Sequence, residues 1–198
     1  MRKGEKTRRH IIIKSAELFN QKGITGSSIQ DIIEATGVTK GGIYRSFSSK
    51  DEIALEAFAY AGEVLQEHFE KAVGSAETAL GKIMALCHIY SDTVNNTPIK
   101  GGCPFIISAV ESDHAFPALR GHTIAAFEGS LAMLQEILKL GIARGEFRAD
   151  CDLESTASFI FSSLEGGIMV SRLTQDNKYV NYSIDNIETF LKATIAVS

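Results

Sequence analysis

Between Ser27 and Lys50 the chain gathers side chains suited to phosphate oxygens and base edges: Ser27, Ser28, Thr39, Lys40, Tyr44, Arg45 and Lys50. Lysine and arginine carry the charge that a phosphate backbone attracts. Arg45 also has the fork geometry that can hold a guanine edge by two hydrogen bonds. The Thr39 and Tyr44 hydroxyls can donate to phosphate oxygens, contacts that set register more than sequence. Lys50 stands at the expected start of a long helix, where its charge and the free backbone N–H groups together suit a phosphate; Ser27 and Ser28 stand at another such start. Gly41 and Gly42 interrupt the set. Each weakens a helix by roughly 1 kcal/mol relative to alanine, and each lets the backbone approach a phosphate or base edge closely.

The charge distribution agrees with this local chemistry. The net charge of -4 hides a split: residues 1 to 50 sum to +6 and the remainder to -10. Such asymmetry points to an anion-attracting segment joined to a different kind of body, with a boundary expected near residue 50 (1–50 and 51–198). The basic stretch from Arg2 to Arg9 reads either as a flexible arm adding nonspecific attraction or as a frayed tail.

The elements that must position these residues are helical. All three prolines, Pro98, Pro104 and Pro117, lie in one twenty-residue window, and apolar residues elsewhere recur at helical spacing. The pattern predicts an all-α chain of about nine helices, near 7–22, 28–37, 39–47, 50–73, 75–94, 103–112, 116–144, 152–174 and 183–197. Gly23, Gly37 and Gly145 stand where C-terminal caps belong. Ser28 with Asp31, and Ser49 with Glu52, read as capping boxes. Thr36-Gly37-Val38-Thr39 joins two short helices, and a brief glycine-containing turn of this kind is the helix-turn-helix pattern. Ala35 is expected to be small because the helices cross there, Val38 to plug their angle, and Ile43 and Phe47 to face inward.

The run from Asp31 through Lys40-Gly41-Gly42-Ile43-Tyr44-Arg45-Ser46-Phe47, followed by Ser49-Lys50-Asp51-Glu52, resembles the DNA-binding signature of the TetR/AcrR family of bacterial transcriptional regulators. The likeness covers about residues 7 to 55; Ser46 departs from it, since the family usually has His or Tyr there. The resemblance implies an N-terminal three-helix DNA-binding domain and a C-terminal helical domain for ligand binding and dimerisation. It implies a homodimer, most readily a repressor, on a palindromic double-stranded DNA operator.

The remaining sequence fits that implication. An apolar cavity is expected from Phe58, Leu65, Met84, Cys87, His88, Phe105, Ile106, Phe127, Leu131, Phe161 and Leu164, whose bias suits a hydrophobic or aromatic effector. His88, Ser108, Glu111 and Glu165 are its polar candidates. Cys103 joins the set because a cysteine at a helix N-terminus gains thiolate character and reactivity. The last two helices are expected to pair between subunits through Leu153, Phe159, Ile160, Ile168 and Val170 with Ile184, Ile187, Phe190, Leu191 and Ile195, helped by close approach at Gly166-Gly167.

Other classes find little support. Gly81-Lys82 is followed by Ile83 and lacks the upstream glycine of a phosphate-binding P-loop, and no G-x-S-x-G appears. No catalytic constellation, cofactor motif or metal-ligand spacing stands out, so no enzyme activity, cofactor or metal is expected. Three widely spaced cysteines make no disulfide framework. No apolar run approaches a bilayer-spanning length, and Ile11 to Ile13, followed by Lys14 and Glu17, is no signal-peptide core. A cytoplasmic protein without membrane partners is expected. A helix-turn-helix protein that ignores small molecules, and a helical binding module without DNA binding, remain the alternatives.

Overall fold

The computed structural model describes residues 3–197, and the side chains of all of these except Lys3 and His114. The helices are α1 (Lys3–Lys22), α2 (Ile29–Thr36), α3 (Lys40–Ser46), α4 (Lys50–Gly74), α5 (Ala79–His88), α6 (Pro104–His114), α7 (Arg120–Ala143), α8 (Leu153–Thr174) and α9 (Lys178–Phe190). A 3-10 turn, Pro117–Leu119, precedes α7, and a π-helical turn, Leu191–Ile195, follows α9. Among the described residues there is no strand, and one antiparallel bridge joins Phe147 to Ala196. The all-α expectation holds. Packing divides the chain into two units, residues 1–65 with 99–123, and residues 66–98 with 124–198.

In the first unit, Ile11, Ala16 and Phe19 of α1, Ile24, Ile32 of α2, Ile43 of α3, Phe47, and Ile53, Ala54 and Ala57 of α4 form one buried cluster with Phe116 and Leu119. Burying each large apolar side chain contributes about 1.5–3 kcal/mol, and this fixes α2 and α3, two short helices that could not persist alone. Helix α2 opens on the expected box: Ser28 Oγ accepts from Asp31 N–H at 3.1 Å, and the Asp31 carboxylate accepts from Ser28 N–H at 2.8 Å. Gly37, at φ 68°, closes α2 in the left-handed region. The second box forms only in part. Glu52 N–H donates to Ser49 Oγ at 3.1 Å, but the Glu52 carboxylate accepts from Ser48 N–H and Ser48 O–H, both at 2.7 Å.

The Glu52 carboxylate is turned that way by Arg8. Arg2 lies outside the described residues; from Lys3 onward the basic stretch is helix, neither arm nor frayed tail. Arg8 donates to the Ser46 carbonyl, to Glu52 Oε1 at 2.9 Å and to Glu56 Oε1, with its guanidinium 4.1 Å from the Phe47 ring centre. One side chain of α1 thus ties the end of α3 to the first turns of α4. The Arg8 hydrogen bond, then those from Ser48, lower the Glu52 carboxyl from 4.5 to about 2. A carboxyl with a depressed folded pKa stabilises the fold above its unfolded value and ceases to do so as pH falls through the folded one. The melting temperature should therefore fall as pH drops from about 4.5 towards about 2, with a shallower fall in Glu52→Gln. At neutral pH, Arg8→Ala should lower it by a few degrees. Melting curves against pH check both; an unchanged Arg8→Ala curve would remove the tie.

In the second unit, α8 and α9 pack against each other over an extended face. Gly167 makes this possible: a Cβ there would lie 2.5 Å from Ser183 Oγ and 3.0 Å from Val180 Cα. Ser171 Oγ accepts from Val180 N–H at 2.8 Å, and the Asn177 side chain bonds Asp92 and Val94 N–H. These contacts start α9 at Lys178, five residues earlier than its apolar spacing predicts. The same network holds 91–95 in turns, so α5 ends at His88. Its start is set by Thr78, whose hydroxyl oxygen accepts from Gly81 N–H at 3.0 Å, and by Glu146, which accepts from Ala79 N–H at 2.6 Å.

Candidate nucleic-acid interface

Helix α3 is rooted by two side chains and bare on the other side. Ile43 and Phe47 are buried, whereas Thr39, Lys40, Gly41, Tyr44 and Arg45 are exposed, Tyr44 to 49%. Lys40 with Tyr44, and Gly41 with Arg45, are i,i+4 pairs, so the four form one continuous outward strip. Lys40, Tyr44 and Arg45 make no hydrogen bond or ion pair among the described residues. Thr39 caps the helix, its Oγ1 accepting from Gly42 N–H at 3.2 Å, and its own proton stays available. The strip offers two cations, two hydroxyl donors and an open backbone, a set matched to phosphates and to the acceptor edge of guanine.

The two glycines have different reasons. A Cβ at Gly42 would lie 2.7 Å from Val38 Cγ1, so Gly42 makes room for the turn residue that wedges α2 against α3. A Cβ at Gly41 would meet nothing within 4 Å; only this glycine is free for approach by another molecule. Ala35 is exposed, so its small size is not required by a helix crossing. Ser46, the departure from the family pattern, turns its hydroxyl back to the Gly42 carbonyl at 3.3 Å.

Three of the expected phosphate contacts are changed. Ser27 is buried, and its hydroxyl donates to the Gly23 carbonyl at 2.6 Å; burial removes it from any outside partner. Lys50 Nζ donates to the carbonyls of Ile24 and Ser27, both at 2.8 Å, so its charge points into the 24–27 turn. Ser28 is exposed, but the Asp31 carboxylate already occupies the α2 start. The hydrogen bond from Lys22, at 2.6 Å, and then those from Ser28 hold this carboxyl below the usual range. An anion is thus fixed where a phosphate was expected.

The effector residues fall on both units. In the first, Phe58, Leu65, Phe105 and Ile106 are half-buried and Cys103 is buried at the start of α6. Phe58 borders a space of about 20 Å³ with Phe19, Asn20, Ala57, Ile107 and Ser108, the size of one water. In the second, Phe127 and Phe161 meet edge to face at 5.2 Å, and Leu131 and Leu164 are half-buried. Met84 and Cys87 are core residues, whereas His88 is exposed. Ser108 donates to its own helix at Pro104, and Glu111 accepts from the Ile24 and Thr25 N–H groups, so both have partners within the chain. Burial pushes the Cys87 thiol up to about 12. Cys103 is also buried, while Cys151 is half-exposed. A thiol reagent at pH 8 should therefore modify Cys151 first and Cys87 only on unfolding; mass spectrometry of the partly labelled native protein checks the order.

The α8–α9 face also differs from expectation. Ile160, Ile168, Ile184, Ile187, Leu191 and Ile195 are buried within the chain, closing the second unit's own core. The apolar residues left outside are Phe159, Met169, Leu173 and Tyr182, with Leu173 81% exposed. Phe159 meets Phe190 with ring centres 4.5 Å apart and planes tilted by 49°, and Gly166, where a Cβ would meet nothing within 4 Å, opens a groove beside them.

A recognition helix of this build at the head of an all-helical chain defines a DNA-binding transcriptional regulator. Residues 11–57 match the family model for bacterial regulatory proteins of the tetR family, and residues 79–187, more than half the chain, match the tetracyclin repressor-like C-terminal domain. The chain belongs to the TetR family; it is a repressor-like regulator and not an enzyme. It is 26% identical to the HTH-type transcriptional repressor DhaR of Mycobacterium sp. (strain GP1), over 96% of each chain. It superposes on a TetR transcriptional regulator from Chloroflexus aurantiacus J-10-fl with a TM-score of 0.94 at 33% identity, over all of both chains. It shares its fold (TM-score 0.80, 20% identity, 91% of this chain and 94% of the other) with a cysteine mutant of the TetR family regulator CifR complexed with 26-bp double-strand operator DNA. No described helix is long and apolar enough to cross a membrane.

Proposed function

We propose that the chain is a cytoplasmic, homodimeric repressor that binds a palindromic operator and is released by a small hydrophobic or aromatic effector. The observation that carries the reading is the outward strip of Lys40, Tyr44 and Arg45 on a helix rooted by Ile43 and Phe47. The operator complex of the similar fold in CifR and the repressor role in DhaR's name support it. Residues 1–50 supply the DNA contacts and residues 51–198 the regulation. Dimerisation uses the exposed α8–α9 face of Phe159, Met169, Leu173 and Tyr182. Two-fold symmetry then sets half-sites about one helical turn, roughly 10 bp, or a multiple apart.

The aromatic pair Phe127–Phe161, with Leu131 and Leu164, supplies the apolar lining suited to such an effector. Helix α4 runs unbroken from Lys50 to Gly74, a rigid element whose movement can report occupancy. A hundredfold loss of operator affinity needs only about 2.7 kcal/mol of coupling. The test is to enrich an operator from random DNA and challenge the complex with a panel of apolar and aromatic compounds, reading release by fluorescence anisotropy. Release by one compound class, lost in Phe161→Ala, supports the reading. Binding indifferent to every compound would leave a regulator that ignores small molecules.

A further inference from the structure

The turn that delivers the chain into the helix-turn-helix is gripped from both sides by opposite charges. Glu111 of α6 accepts from the Ile24 N–H at 2.7 Å and the Thr25 N–H at 3.1 Å. Lys50, the first residue of α4, donates to the Ile24 and Ser27 carbonyls, both at 2.8 Å. The Ile24 residue is therefore held at its N–H by a carboxylate and at its C=O by an ammonium, from two helices far apart in sequence. Charge-assisted hydrogen bonds of this kind are about twice as strong as neutral ones.

The surroundings are shaped for the grip. Gly23 stands at φ 80°, and a Cβ there would lie 2.5 Å from Glu111 Oε1, so only glycine both ends α1 and admits the carboxylate. Next to it the chain leading into α6 holds α1 directly. Asn20 Nδ2 donates to the carbonyls of Lys100, at 3.0 Å, and Gly102, at 2.9 Å. Gly101, at φ 107°, brings its backbone so close to α1 that a Cβ would lie 2.5 Å from the Asn20 carbonyl oxygen.

We infer that Glu111 and Lys50 form a two-sided latch on the 24–27 turn, and that Glu111 is a positioning residue for DNA binding although it lies outside the DNA-contacting segment. Helix α6 then acts on the helix-turn-helix without passing through α4. A shift of α6 pulls the Ile24 and Thr25 amides with it, and with them Ser28, the cap of α2. The inference rests on the DNA-binding reading above.

Charge alone and the latch predict opposite results, which makes the test sharp. Removing a carboxylate from a DNA-binding protein should by simple electrostatics strengthen binding. The latch predicts that Glu111→Ala weakens binding to the enriched operator about tenfold, from the loss of two charge-assisted hydrogen bonds. Glu111→Gln keeps one acceptor and should weaken binding about threefold by the same scale; it serves if Glu111→Ala does not fold. Hydrogen exchange at Ile24 and Thr25 in the full-length protein should accelerate in both variants. Lys50→Met should weaken binding with an unchanged slope of log affinity against log salt, because its ammonium serves the turn; a phosphate contact would reduce the slope by about one.

Glu111→Ala, folded and binding as tightly as the unmodified protein or more tightly, overturns the latch. So does a Lys50→Met slope lowered by about one. If the unmodified protein enriches no DNA sequence, the DNA-binding reading itself falls, and the latch with it.

Discussion

Replacing Tyr44 and Arg45 together by alanine should leave a folded protein whose operator affinity is about a hundredfold lower. Both side chains are exposed and make no hydrogen bond or ion pair among the described residues, while Ile43 and Phe47 still anchor α3. An Arg–guanine pair is worth about 1–3 kcal/mol of discrimination, and a hydrogen bond to a charged oxygen about 1.5–3 kcal/mol. Two neighbours on one helix need not add fully, so a hundredfold is a conservative sum. The single variants separate the roles. Arg45→Ala should relax preference at one base position. Lys40→Ala should weaken all sequences alike and reduce the salt slope by about one. Anisotropy titrations at several salt concentrations check these outcomes; unchanged affinity in the double variant would show that the strip does not face DNA.

Placing arginine at both Phe159 and Leu173 should convert the proposed dimer to a monomer and cut operator affinity by at least about a hundredfold. Phe159, Met169, Leu173 and Tyr182 leave 40%, 52%, 81% and 58% of their surface exposed in the single chain, and large apolar patches of this kind mark association sites. In a two-fold dimer this places four guanidinium groups without partners at the interface, which would be prohibitively costly, yet both positions are exposed in one chain, so its own fold survives. Losing the second head removes the effective-concentration gain of bivalent binding, about 10²–10⁴-fold. Gly167→Ala should act differently, because its clash is with Ser183 and Val180 of the same chain; it lowers stability and leaves the monomer no better formed. Sedimentation separates the cases. A dimer that persists in the double arginine variant would move the interface elsewhere.

The helical class, the helix-turn-helix and the outward set on α3 were legible because each rests on local signals. Ser28 with Asp31, Gly37 at the turn, and inward Ile43 and Phe47 are a few residues apart, and the structure keeps all of them. Contacts that depend on distant partners were not legible. Arg8 looked like part of a basic arm, since nothing near it in sequence announces Ser46, Glu52 and Glu56. Lys50 looked like a phosphate ligand because a helix start suits one; the carbonyls that take its charge are 23 and 26 positions away. Gly42 and Gly167 each stood beside a second glycine, and composition cannot tell which of two is filled by a neighbour. Apolar periodicity found the α8–α9 residues, but it could not distinguish a helix face buried in its own chain from one left open.

In the proposed dimer, two α3 strips read one two-fold DNA site. Selecting bound sequences from a random double-stranded pool tests it most directly. The expected product is an inverted repeat whose half-site centres lie about one helical turn, or a multiple of it, apart, with enrichment lost in the Tyr44→Ala, Arg45→Ala double variant. A pool that yields no enriched sequence, or the same inverted repeat from the double variant, would contradict it.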